Sequence, residues 1–111
     1  MPFIEVKTNQ NIRDKETLKA QLGQAITAIP GKSEAWLMVE LEDGKAMYFK
    51  GSDEPCAMFE IAIFGNASDS AYDDLTKRIC IISEDLLGVP ADRTYVKYIE
   101  IDHWGYNNFN F

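Results

Sequence analysis

Few residues of this chain belong to types that do chemistry unaided, and they are widely spaced. Pro2 opens an alternating stretch, MPFIEVKTN. At a strand's first position a proline costs little, because its fixed φ and missing N–H disturb no ladder bond there. If the initiator Met is removed, the same residue carries a free secondary amine, a base whose place is set by the strand that follows. The residue alone leaves both readings open. Lys32 follows Pro30 and Gly31, where a helix should stop; taken by itself it reads as a solvated cation suited to a helix C-terminus. Cys56 and Cys80 show neither CxxC spacing nor a nearby histidine to complete a ligand set. Both read as small buried hydrophobes, Cys56 at a strand start and Cys80 on an apolar helix face. His103 stands beside Trp104 without a Ser or Cys motif that would make it a triad base.

Composition narrows the classes these residues can serve. At 111 residues the chain is expected to form a single domain, 1–111, near the size where oligomerisation often supplies part of the burial. With 46% apolar residues it is globular, with no disordered tract or repeat array. A net charge of −7 and scattered basic residues argue against a nucleic-acid partner. No apolar run approaches a membrane span, and neither a basic n-region nor an apolar h-region opens the chain. A cytoplasmic protein with no membrane partner is the expectation.

The elements that must hold Pro2 and Lys32 read as two similar halves. Residues 2–9 alternate as a strand, then Leu18, Leu22, Ala25, Ile26 and Ile29 recur at helical spacing over 14–29. Pro30 and Gly31 stop the helix, and EAWLMVELED follows as a second strand with Leu37, Val39 and Leu41 on one face. AMFEIAIFG begins the second half. Tyr72, Leu75, Ile79, Ile82 and Leu86 mark its helix, GVP ends it, and TYVKYIEID is the last strand. Two βαβ repeats imply parallel pairing within each, right-handed crossovers and one four-stranded sheet with both helices on one face. The class is α/β, or α+β by some schemes.

The other sheet face then carries Trp36, Met38, Glu40, Met58, Glu60 and Ala62, and the tail HWGYNNFNF adds four aromatics with no helix left to cover them. Monomers rarely leave such area open. A closed ring, a trimer whose sheets surround a polar channel, would wet the glutamates and bury the aromatics.

Several stretches together resemble one known family: MPFIEVKTN, PGK at 30–32, GSDEPCAMFEIAIFG at 51–65, ADRTYVKYIEID, and WGYNNFNF at the end. In this order, over nearly the whole chain, they are similar to the macrophage migration inhibitory factor family of the tautomerase superfamily. The resemblance implies a homotrimer with a site at each subunit interface, interconverting keto and enol forms of phenylpyruvate-like 2-oxo acids without metal or cofactor. Carried over, Pro2 matches the catalytic base and Lys32 the cation that binds substrate carboxylate. Phe64 stands where the family's backbone N–H holds the same carboxylate. Tyr95, Tyr106 and Phe111 match aromatic pocket positions, Tyr95 reaching in from the adjacent subunit. This chain departs from the pattern in four places: Phe64 replaces the usual aliphatic residue, which changes pocket shape more than chemistry, Tyr106 replaces the usual tryptophan while Trp104 lies two residues earlier, Lys97 replaces a common asparagine, and Phe59 stands at the second cysteine of the family's CxxC. Thiol oxidoreductase chemistry is therefore not expected.

The chemistry suits the residues. Taking a proton from carbon beside a carbonyl needs a base that is neutral yet still basic near working pH, whereas a model α-amine titrates at about 7.7 to 8.0. Desolvation and a nearby Lys32 both push the amine down. Lys97 shares a strand face with Tyr95, so it either borders the pocket or points into the channel, screened by Glu40, Glu60 and Glu100. Two other readings stand beside this one. The protein could serve chiefly as a cytokine-like ligand for a protein receptor, secreted without a signal peptide, or it could run a related dehalogenation or decarboxylation. Relatives doing the latter place arginines near the proline, whereas Arg13, Arg78 and Arg93 fall in expected helices or turns.

Overall fold

Alternation along the first strand sorts its residues strictly: in β1, Pro2–Thr8, every even-numbered residue is buried and every odd one half-buried. The structure, a computed structural model, describes all 111 residues. Helix α1, Lys15–Ala25, starts where Asp14 accepts the Thr17 amide at 2.9 Å and the Thr17 hydroxyl at 2.7 Å, satisfying an N-terminal donor that the helix leaves unpaired. A 3₁₀ turn, Ile26–Ala28, carries it to Pro30. Strand β2 spans Met38–Glu42, β3 Ala57–Phe64, and α2 Asp69–Ile82, capped by Ser68 on the Ala71 amide at 3.2 Å. One π-helical turn, Ser83–Leu87, ends at Gly88, whose φ of +67° suits a residue without Cβ. Strand β4 is Thr94–Ile101, and a small hairpin, β5 Gly105–Tyr106 with β6 Phe109–Asn110, closes the chain.

The sheet order is β2-β1-β3-β4, parallel within each half and antiparallel where β1 meets β3. This is the mixed α+β arrangement of two βαβ repeats that the periodicity predicts. One core of 18 buried residues lies between the sheet and both helices, with Ile4, Phe59, Ile61, Leu18, Leu22, Leu75 and Ile79 fully enclosed. Each such side chain contributes roughly 1.5 to 3 kcal/mol on burial. The buried hydroxyls are satisfied: Thr8 donates to the Cys56 carbonyl at 2.8 Å, and Ser83 and Thr94 share a hydrogen bond of 3.0 Å.

Three local expectations change. EAW is not strand but a 3₁₀ turn, Glu34–Trp36, so β2 begins at Met38. Cys80 is half-buried rather than enclosed, and burial pushes its thiol pKa up. Glu100 does not screen Lys97. Three positions along a strand put it on the opposite face, where it accepts the Tyr72 hydroxyl at 2.7 Å.

No helix is long and apolar enough to cross a membrane.

Candidate active site

Lys32 is set by a turn whose residue types the geometry demands. The Lys32 amide donates to the Ile29 carbonyl at 3.1 Å, with Pro30 and Gly31 between, and Gly31 takes φ +81°. That is a type II turn, with proline pre-set at its second residue and glycine at the third, where φ must be positive. It delivers the Lys32 ammonium to the end of β3, where Nζ donates to the Phe64 carbonyl at 3.1 Å.

Beside it lies the start of β1. Pro2 is buried in register with Ile63, and the Phe64 amide one residue on donates to the Met1 carbonyl at 3.0 Å. With Met1 attached, the Pro2 nitrogen is an amide. The Met1 ammonium itself is held below its usual range, first by burial and then by Lys32 through charge and a hydrogen bond. Burial and the Lys32 charge thus favour the neutral form of the Met1 amine.

A cavity of about 240 Å³ opens here, lined by Met1, Gly31, Trp36, Phe64 and Phe111. Its aromatic wall is built from three separate segments. Asn107 and Asn108, at φ +51° and +75°, make the hairpin turn of the primed kind that asparagine tolerates, and the Phe111 amide closes on the Trp104 carbonyl at 3.0 Å. This folds Tyr106 and Phe111 back over the site. Trp36 meets Tyr106 edge-on at 5.5 Å, Tyr106 stacks with Phe111 at 6.4 Å, and Phe64 tilts against Phe111 at 5.9 Å. Trp36 was missed as a wall residue because a strand reading put it on the outer sheet face. Its signal is proximity to the PGK turn.

Tyr95 and Lys97 lie elsewhere. Their register partners on β3 are Met58 and Glu60; Met58 is five residues from Ile63, about 16 Å along the strand. Tyr95 is 57% exposed and packs on Phe49 at 4.7 Å. Lys97 pairs with Glu60 at 3.1 Å, within a cross-strand row that runs Glu40, Glu5, Glu60, Lys97. Within one chain neither reaches the cavity.

The other reactive types fall away from it. His103 is exposed, and Phe59 fills a core position where a second cysteine would have to be. Arg78 pairs with Asp74 at 3.1 Å and Arg93 donates to backbone carbonyls, so neither is available near Pro2. The carboxylates of Glu5, Glu40 and Glu42 lie within 4.8 Å of one another and are the only group able to hold a cation, but Glu5 is already paired with Lys7 at 2.7 Å. A larger cleft of about 450 Å³ is lined mainly by polar residues such as Gln10, Arg13 and Asp85 and has no aromatic side chain in its wall. The chemistry therefore concentrates at the smaller cavity.

Comparison with known proteins places the chain by sequence and fold. The family model described as macrophage migration inhibitory factor (MIF) matches residues 1–109. The chain is 27% identical to the Xenopus laevis macrophage migration inhibitory factor, covering 100% of this chain and 99% of that protein. Its identity to a Brugia malayi homolog is also 27%, over 92% of this chain and 90% of that one. Among solved structures, Leishmania major MIF2 superimposes with a TM-score of 0.87 at 29% identity, covering 100% of this chain and 97% of its own. A homologue from Prochlorococcus marinus gives 0.87 at 28% identity, with 98% of each chain covered. Fold and sequence converge: this chain belongs to the macrophage migration inhibitory factor family.

Proposed function

We propose that the protein is a keto-enol tautomerase for phenylpyruvate-like 2-oxo acids, with Pro2, freed by removal of Met1, as general acid and base. The observation that carries this reading is the oxygen already seated on the Phe64 amide: the Met1 carbonyl, at 3.0 Å, with the Lys32 ammonium beside the same segment. A substrate carboxylate oxygen would take the place of that carbonyl once Met1 is gone, and Lys32 would pair with its charge. The Pro2 nitrogen would then take a proton from the carbon next to the ketone and return it to the ketone oxygen, giving the enol with no net gain or loss. Lys32 and the Phe64 amide would stabilise charge that develops on the enolate. Trp36, Phe111 and Tyr106 would hold the aryl ring.

Tyr95 enters this reading only from a neighbouring copy, so we place the protein in a homotrimer with a pocket at each interface. The exposed Met38, Tyr95, Tyr106, Phe109 and Phe111 support that assembly. Mass measurement in native solution tests it; a stable monomer at micromolar concentration contradicts it. For the activity, phenylpyruvate tautomerisation is measured on Met1-free protein and on a form that retains Met1. The proposal requires turnover by the first and its loss in the second; equal rates overturn it.

A further inference from the structure

Arg93 satisfies more backbone than any other side chain in the molecule. Its Nε donates to the Pro55 carbonyl at 2.8 Å, Nη1 to Phe49 at 3.1 Å, and Nη2 to Ser52 at 3.1 Å and Glu54 at 3.0 Å. Phe49 and Ser52 also bond each other's backbone, at 2.9 and 3.1 Å, around Lys50 and Gly51, both with positive φ. The guanidinium thus grips both outer carbonyls of a tight turn in a segment otherwise without regular structure. It also lies 5.3 Å from the Phe49 ring centre, and that ring meets Tyr95 edge-on at 4.7 Å.

We propose that Arg93 is a positioning residue for Tyr95, acting through the Phe49 turn. Tyr95 is more than half exposed, and Phe49 is its one aromatic neighbour in the chain. A long strand side chain left without that buttress samples several rotamers; with it, one orientation is held before any ligand or second copy arrives. The fork is essential. Four carbonyls from one short segment are spanned by a planar guanidinium with five donors and not by a single ammonium. The part this orientation plays in substrate binding rests on the tautomerase reading above, in which Tyr95 completes a neighbour's pocket.

The test combines a double-mutant cycle with a measurement that needs no activity. In Met1-free protein, Arg93→Lys should raise KM for phenylpyruvate about tenfold, the scale of one aromatic contact, with kcat and the pH profile little changed. In a Tyr95→Ala background the same substitution should change KM no further, since the residue it positions is gone. Independently, the Tyr95 ring resonances should shift in Arg93→Lys and in Phe49→Leu, as the ring current of Phe49 is displaced or removed. An equal KM increase with and without Tyr95, or ring resonances that stay put, overturns the proposal. If the unsubstituted Met1-free protein does not turn over phenylpyruvate, the tautomerase reading fails instead, and the resonances alone decide whether Arg93 orders Tyr95.

Discussion

The Phe64 amide donates to the Met1 carbonyl at 3.0 Å, so the first residue of the chain fills a donor that faces the cavity. Removing Met1 leaves this N–H open to solvent and to any carboxylate that enters. Titrating Met1-free protein with phenylpyruvate should therefore move the Phe64 amide proton downfield. The Met1-retaining form should show no such movement at the same concentration.

Lys32→Ala should have two linked effects. Loss of a charge-assisted hydrogen bond should raise KM by a factor that corresponds to about 1.5 to 3 kcal/mol. The ammonium also lowers the pKa of the Met1 amine; in the proposed mechanism the same charge would lower that of a freed Pro2 amine, whose neutral form accepts the proton. The ascending limb of the pH profile should accordingly move to higher pH in the variant. If KM and pH profile both stay unchanged, Lys32 is an ordinary surface lysine.

Gly31→Ala tests the turn rather than the cation. A Cβ on Gly31 would meet nothing within 4 Å, so the only cost is backbone strain at φ +81°. Left-handed geometry costs a non-glycine residue about 1 to 2 kcal/mol. Denaturant unfolding should show a loss of that size, and KM should rise as the strained turn displaces Lys32.

Lys97→Asn should leave the ascending limb where it is, because Lys97 is paired with Glu60 at 3.1 Å on the outer sheet face. A shift of that limb to higher pH would place the Lys97 ammonium beside a neighbouring copy's Pro2 after all.

The Tyr72 pKa is pushed up to about 12 by burial and by the Glu100 carboxylate it donates to. Its folded pKa thus exceeds the unfolded value near 10. The contribution to stability is complete below about pH 10 and is lost as pH rises through the folded value. Chemical denaturation between pH 9 and 12 should show stability declining, and Tyr72→Phe should remove the tyrosine-dependent part of that decline.

The element order, the parallel pairing inside each half and the helix-facing residues were legible in the sequence because each is written in local periodicity. Leu18, Leu22, Leu75 and Ile79 at helical spacing can bury only one stripe, and Ile4, Val6, Phe59 and Ile61 in alternation only one face. PGK announced its turn, since only glycine enters φ +81° without strain. The family resemblance named Pro2, Lys32 and Phe64, and the fold gathers all three at one end of the sheet. Tertiary structure alone decided the rest. Trp36 joins the cavity wall because a 3₁₀ turn redirects it toward a hairpin some seventy residues on, a contact no local pattern encodes. Lys97 lies opposite Glu60 because strand register aligns them, and the Arg93 guanidinium finds its carbonyls about forty residues back in a segment with no periodicity to read. Periodicity reports which face of an element is buried. Which residues from distant segments meet on that face is set by register, turn geometry and close packing, and these exist only once the chain has folded.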